Sequence, residues 1–215
     1  MFDPDGQDRE RGQAHTLEAV VGAIILLTAI AFALQMTIVT PLSASTSSQH
    51  IEGQQRAVAQ GVLASAAEEG ALHEAVMYWN ETAGRYHDTS SQGFYSDDPP
   101  DNQFGEKLSR AFDEEGIAYN VKVYYQTGNE TTRNQVNERL MISQGTPSDN
   151  AVSATRTIAI RNDDRLVDAD GSLNETTVNE ADNFYIRNGH SDASGASDGH
   201  GLYNVVRIEV VAWRI

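Results

Sequence analysis

The sequence predicts an α+β protein, with an N-terminal hydrophobic helix followed by helices packed on a small antiparallel sheet. Apolar residues recur at helical three- and four-residue steps before residue 116 and alternate as in strands after it. A chain in which the helices precede the strands is expected to pack its helices on one face of an antiparallel sheet. The 215 residues allow one domain with a proper core beside the N-terminal segment.

The first predicted element is a hydrophobic transmembrane helix. Thr28 is the one polar residue between positions 19 and 34, and no charged residue then occurs until Glu52. Apolar side chains therefore cover every face, whereas a helix on a globular core would keep a polar stripe. Residues 19–39 are 21 positions, which as a helix span about 30 Å, the thickness of the hydrocarbon core of a bilayer. Pro41 is expected to end this helix.

A cleaved secretory signal is the alternative interpretation of this segment. Such a signal has an apolar run of about 7–15 residues and a small-residue cleavage site, whereas this run is longer and "LQMTIVTPLS" offers no clear site. Arg9 and Arg11 precede the run, and the next basic residue is Arg56. The positive-inside rule therefore predicts a single pass through the cell membrane, with the N-terminus in the cytoplasm and residues 40–215 outside.

The rest of the chain predicts a linker, two helical regions and several strands. Residues 40–49, "TPLSASTSSQ", are rich in Ser and Thr and are typical of a linker. Helical spacing covers residues 51–79, with a bend expected at Gly70, and a shorter helix over residues 104–112 should stop at Gly116. The last of the predicted strands should be internal, because both of its faces carry apolar residues. The strands are predicted over residues 117–125, 139–144, 153–162 and 202–215.

The start of the chain also resembles a known class of leader. "RGQAHTLE" followed by a long apolar helix is similar to archaeal type IV pilin-like proteins, in which a prepilin peptidase cuts a short hydrophilic leader and a Glu is the fifth mature residue. A cut after Gly12 makes Glu18 the sixth mature residue, and a cut after Gln13 makes it the fifth. Stretches such as "YWNETA", "GTPSDNAVSATRTIAI" and "LYNVVRIEVVAWRI" resemble an uncharacterised family of haloarchaeal membrane proteins with pilin-like N-termini. This resemblance implies location and architecture, without an activity.

Glu18 has two interpretations. A carboxylate at the start of an apolar helix lies near the positive end of the helix dipole, and in a filament it could pair with the terminal amine of a neighbouring subunit. Alternatively, it is an interfacial residue hydrated by lipid headgroups. In the first case residues 19–39 pack with copies of the chain or with pilin-like subunits, because small residues permit close approach: Ala19, Gly22, Ala23, Ala29 and Ala33.

The charge balance bears on possible partners. Acidic residues outnumber basic ones by 31 to 15, giving a net charge of −16, and only Lys107 and Lys122 are lysines. This balance excludes nucleic acid as a partner, and it is typical either of an ordinary solvated surface or of a protein working in concentrated salt. The absence of Cys excludes disulfides and thiolate chemistry.

The expected organisation has four parts. They are a cytoplasmic leader and juxtamembrane segment at residues 1–17, a transmembrane or pilin-like helix at 18–39, a linker at 40–50 and an extracellular acidic α+β domain at 51–215. Three sequons are candidate sites for N-linked glycan, at Asn80, Asn129 and Asn174. Asn129 and Asn174 fall in predicted loops, whereas Asn80 follows a predicted helix and has a helix cap as its alternative role.

Two stretches are weak candidates for cation binding. "DDRLVDADGSLNET" departs from the EF-hand template, and a looser calcium site would use Asp164, Asp168 and Asp170. Its alternative is an Asp/Gly turn joining two strands. "NGHSDASGASDGHG" holds two His and two Asp in a Gly- and Ser-rich segment, which favours a surface loop over a zinc site. We therefore predict no metal and no cofactor.

The sequence contains neither a P-loop nor a G-x-G-x-x-G pattern, and its one G-x-S-x-G match, at residues 195–199, falls within the Gly- and Ser-rich stretch that is predicted as a surface loop. We expect a non-enzymatic, single-pass, pilin-like structural or assembly protein of the cell surface. Its role would be that of a minor pilin or of a component of a secretion or adhesion apparatus. The alternative is a membrane-anchored extracellular module that binds a ligand or a cation.

Overall fold

The computed structural model describes residues 5–127, 135–187 and 201–214, with side chains described for residues 15–34, 49–127, 135–187 and 201–214. The chain forms two compact units, Met1–His50 and Ile51–Ile215, and helix α1 runs through the boundary between them. The predicted α+β class is confirmed, because an apolar N-terminal helix is followed by helices packed against small antiparallel sheets.

Helix α1 spans Asp5–Glu68 and is longer than the sequence predicts. The expected helix end at Pro41 is wrong, and residues 40–50, expected as a linker, are helical. A proline inside a helix removes one backbone hydrogen bond and costs about 3 kcal/mol, but it does not prevent helix on either side. Helix propagation is cooperative, so the long helical stretches flanking Pro41 outweigh that local cost.

The C-terminal part of α1 packs into the core of the second unit. Ala59, Leu63 and Ala66 are fully buried at steps of four and three residues, as expected of an amphipathic helix. Gly70 adopts the left-handed conformation, with φ 81°, and separates α1 from α2, which spans Ala71–Met77. The bend predicted at Gly70 is therefore a complete break between two helices.

Helix α3 spans Gln103–Ala111 and begins at a side-chain cap. Oδ1 of Asn102 accepts a hydrogen bond of 3.0 Å from the N–H of Gly105, which satisfies one of the free donors at the helix start. A 3-10 turn over Asp113–Glu115 follows, and Gly116 ends that turn with φ 65°. The predicted stop at Gly116 thus belongs to the turn after the helix.

The central sheet has four antiparallel strands in the order β4-β3-β8-β5. The predicted internal position of β8 is confirmed, because β8 pairs with both β3 and β5. Its buried face carries Val206, Ile208, Val210 and Ala212, which share one core cluster with residues of all three helices. The strands span Ile117–Thr127 (β3), Gln135–Ser143 (β4), Val152–Arg161 (β5) and Leu202–Arg214 (β8).

Two short hairpins complete the second unit. Strands β1 (Trp79–Asn80) and β2 (Arg85–Tyr86) form one, and β6 (Arg165–Val167) and β7 (Leu173–Thr177) form the other. The sequence predicts neither as a pair of defined strands, since runs of two to five residues are too short to show an alternating pattern.

Candidate functional site

The apolar segment of α1 is exposed. His15–Leu34 is a 20-residue stretch with a mean hydropathy of 2.5 and no buried residue, and it is long and apolar enough to cross a membrane. Among the described residues it holds ten of the fourteen exposed large hydrophobic side chains. A core helix would bury them, so this segment is not part of a soluble core. The ten are Leu17, Val20, Val21, Ile24, Ile25, Leu26, Leu27, Ile30, Phe32 and Leu34.

The one polar side chain in the middle of this segment is satisfied by the helix itself. Oγ1 of Thr28 donates a hydrogen bond to the backbone carbonyl of Ile24, one turn earlier. An unpaired hydroxyl in hydrocarbon would cost several kcal/mol, so this bond makes Thr28 compatible with a membrane span. Gly22 has open space where a Cβ would stand, which leaves its face of the helix open to close approach.

Glu18 lies at the polar edge of the apolar segment. Its side chain is 83% exposed, and its Oε2 lies 3.8 Å from Nδ1 of His15, one turn earlier in the helix. The exposed carboxylate is therefore accessible to a group outside the helix. The candidate cleavage residues Gly12 and Gln13 lie within helix α1, and the side chain of Gln13 is outside the described set.

Two of the three candidate glycosylation sites, Asn80 and Asn174, occupy different structures from those predicted. Asn80 lies in β1, and its Oδ1 accepts a hydrogen bond of 2.8 Å from the N–H of Ala83, so it caps a hairpin turn rather than a helix. Asn174 lies in β7 rather than in a loop, and its Nδ2 donates to Oδ1 of Asp168 at 2.8 Å. A glycan attached at Nδ2 would disturb this bond. Asn129 falls outside the described residues.

The candidate calcium ligands are engaged with the protein. Asp164 lies 3.1 Å from Nε2 of His73, Asp168 accepts from Asn174, and Asp170 accepts two hydrogen bonds inside its own turn. No group of three or more His, Cys, Asp or Glu among the described residues could hold a metal ion. The interpretation as a turn joining two strands is confirmed, because β6 and β7 pair across it. The His- and Asp-containing stretch at residues 188–200 is outside the described part of the chain.

Two surface pockets of the second unit have opposite character. One, of about 480 Å³, is lined by four carboxylates, those of Asp88, Asp97, Asp98 and Asp101. The other, of about 310 Å³, is lined by Arg139 and Arg187 with aromatic and amide side chains, and none of the described residues that line it is acidic; we call it the basic-aromatic pocket. Sequence reasoning missed it because its residues are distant in the chain and no local motif marks them.

Comparison with known proteins gives one family match, and that match extends over residues of both units. A family model matches residues 11–212, beginning before the apolar segment and ending within β8. Searches of curated proteins and of solved structures each gave no match. The match covers nearly the whole chain, which therefore belongs to a family of unknown function, DUF7288.

Proposed function

We propose that this chain is a non-enzymatic, single-pass membrane protein of the cell surface that works by assembly, as a pilin-like subunit. The observation that carries the proposal is the exposure of His15–Leu34. Full burial of a Val, Leu, Ile or Phe side chain is worth about 1.5–3 kcal/mol. Ten such side chains in one segment therefore favour an apolar environment, which lipid and neighbouring helices supply.

Charge supports one orientation of this anchor. Arg9 and Arg11 precede the apolar segment, and no further basic residue occurs before Arg56. The positive-inside rule then favours a cytoplasmic N-terminus and an outer second unit. Residues 40–215 hold 26 acidic and 13 basic residues, and this excess of negative charge keeps an outer domain soluble. Strong screening in concentrated salt makes so acidic a surface tolerable.

Glu18 and Gly22 support assembly through the helix. The carboxylate of Glu18 is largely exposed, so it is available to the terminal amine of a neighbouring subunit. Cleavage after Gly12 or after Gln13 would create such an amine close to Glu18 in the sequence. The open face at Gly22 lets a second helix approach closely, which favours packing between helices in lipid.

A second candidate function is a membrane-anchored extracellular module that binds a ligand. The basic-aromatic pocket favours it, because two arginines line a pocket of a strongly acidic chain. The two candidates share one anchor, and they differ in whether the apolar helix or the pocket performs the function.

The anchor is tested by placing a charge within the span. Ile25→Arg puts a guanidinium near the centre of His15–Leu34, where it costs about 2.5–3.5 kcal/mol of insertion free energy. We expect the variant to leave the membrane fraction under a carbonate wash. The matched control is Leu173→Arg, because Leu173 is 68% exposed in the second unit and Ile25 is 63% exposed. Equal retention of wild type and Ile25→Arg in the membrane would contradict the anchor.

Mass spectrometry of the mature N-terminus tests the pilin-like route. A new terminus after Gly12 or after Gln13 supports it, and an intact residue 1 rejects it. A terminus beyond the apolar segment identifies a cleaved secretory signal and rejects the anchor as well.

A further inference from the structure

The basic-aromatic pocket lies entirely within the second unit, beside the β3–β4 hairpin. Its volume of about 310 Å³ is at the lower end of the range of roughly 300–1,000 Å³ that is typical of small-molecule sites. The side chains with distinctive chemistry in its lining are Trp79, Tyr125, Asn137, Arg139, Asn183 and Arg187.

The register of the central sheet brings the strand residues of the pocket to one face. Val123 pairs with Arg139, and Tyr125 pairs with Asn137, across strands β3 and β4. Directly opposed residues of an antiparallel pair project on the same side. Arg139 and Asn137 therefore share the face of the buried residues Val123 and Tyr125, rather than the open face of the sheet.

Aromatic rings hold the polar groups of the pocket in place. The guanidinium carbon of Arg139 lies 4.9 Å from the centroid of the Trp79 ring. Nε1 of Trp79 donates a hydrogen bond of 2.8 Å to the carbonyl of Asn183, and the Trp79 ring packs 4.7 Å from that of Tyr185. These contacts fix the pocket before a ligand arrives, which lowers the entropic cost of binding.

The pocket is positively charged. Both arginines line it, and among the described residues no acidic side chain lines it and no carboxylate forms an ion pair with either guanidinium. Burial raises the pKa of Tyr125, while Arg139, the side chain of Asn137 and Arg187 act against that rise. The two guanidinium groups and the Asn137 side chain therefore all favour the ionised form of the Tyr125 phenol.

We propose that the basic-aromatic pocket binds a small hydroxylated carboxylate, which is the chemistry of a sugar acid. Guanidinium groups pair bidentately with planar carboxylates, as Arg139 and Arg187 would do here. Carboxamides such as those of Asn137 and Asn183 both donate and accept, which suits the hydroxyl groups of such a ligand. A helix N-terminus often completes a phosphate site, and none lies among the described residues of the lining, so a carboxylate fits better.

Calorimetry on the full-length protein in detergent micelles tests the proposal, with glucuronate, glucose and inorganic phosphate as probes. We expect saturable binding of glucuronate and none of glucose. Arg139→Gln and Arg187→Gln should each weaken glucuronate binding about tenfold or more, because each removes a hydrogen bond to a charged group. The matched control is Arg207→Gln, whose guanidinium lies 4.7 Å from the Tyr124 ring on the open face of the sheet. It should bind glucuronate as the wild type does.

Several results would overturn this assignment. One is the absence of saturable glucuronate binding, and another is an unchanged affinity for glucuronate in the Arg187→Gln variant. The others are binding of phosphate but not of glucuronate, and binding of glucose as tight as that of glucuronate. Arg187 is exposed, so its variant keeps the test decisive if Arg139→Gln fails to fold. The proposal names the ligand class of the second candidate function and rests on that candidate, not on the pilin-like one. None of these outcomes depends on insertion into a membrane.

Discussion

The two described parts of helix α1 contain similar apolar residues and have opposite environments. In residues 15–34 the large hydrophobic side chains are between 49% and 71% exposed. In the part that begins at residue 51, Ala59, Leu63 and Ala66 are at most 1% exposed, while polar residues of the same stretch, such as Arg56 and Gln60, remain at the surface. Burial in this protein therefore follows the period of the apolar residues rather than their number.

The comparison teaches what each part requires of its surroundings. The second part has one apolar stripe, and the strands and helices of its own unit cover it. The first part is apolar on every side, and no surface among the described residues covers it. A soluble core cannot surround a helix completely unless the domain is large, so the first part favours lipid or a bundle of other chains.

The largest expected effect is the difference in unfolding free energy between two phenylalanine substitutions, one in each unit. Phe104 is fully buried in the second unit, whereas Phe32 is 67% exposed in the apolar segment. Phe104→Ala leaves a cavity and should lower the free energy of unfolding by about 3–5 kcal/mol. Phe32→Ala should leave it unchanged. Denaturant unfolding in micelles measures both, because the two tryptophans, Trp79 and Trp213, report on the second unit alone.

Equal destabilisation by the two phenylalanine variants would show that the apolar segment packs against the second unit. That outcome would also remove the need for lipid around His15–Leu34.

A smaller effect on the unfolding free energy is expected at the start of α3, a helix much shorter than α1. Helix α3 has only nine residues, so its stability depends on its ends and on packing. Asn102→Ala removes the side-chain acceptor for the N–H of Gly105 and should cost about 1 kcal/mol. Asn150→Ala, at an exposed position of the β4–β5 connection, is the control and should change the unfolding free energy little. Equal effects of the two variants would mean that the cap is dispensable.

The smallest expected effect concerns two ion pairs that involve histidine. His15 and Glu18 are both more than 80% exposed, whereas the side chains of His73 and Asp164 are 36% and 21% exposed. Burial raises the pKa of Asp164, but hydrogen bonds from His73 and from the N–H of Arg161 outweigh it, so the pKa falls below the ordinary value of 3.8. Asp164 therefore stabilises the fold above that value, and the contribution is lost as pH falls through the lowered pKa.

Acid unfolding of an Asp164→Asn variant measures this contribution. Its stability should fall less steeply than that of the wild type below about pH 4, where the wild-type carboxylate becomes protonated. Asp149→Asn, an exposed change between β4 and β5, is the control. Identical slopes for wild type and Asp164→Asn would show that the bond with His73 adds nothing.

Several elements were predictable because their patterns are long. β8 has 13 residues and shows its buried face by alternation. The apolar run of residues 19–34, interrupted by Thr28 alone, excludes a half-buried helix. The prediction at Pro41 was wrong because a rule about one residue was applied without the cooperativity of the helix around it. The predicted positions of Asn80 at a helix end and of Asn174 in a loop are wrong, because both residues lie in hairpins whose strands are too short to recognise.

By itself the sequence determined the apolar character of the first unit and the order of helices and strands, because both depend on residues a few positions apart. Only the tertiary structure decided that Trp79, Arg139 and Arg187 line one pocket. The register of β3 against β4 and a hydrogen bond between Trp79 and Asn183, 104 positions apart, bring those groups together. Contacts over such distances arise from packing of the whole unit, and no short pattern in the chain encodes them.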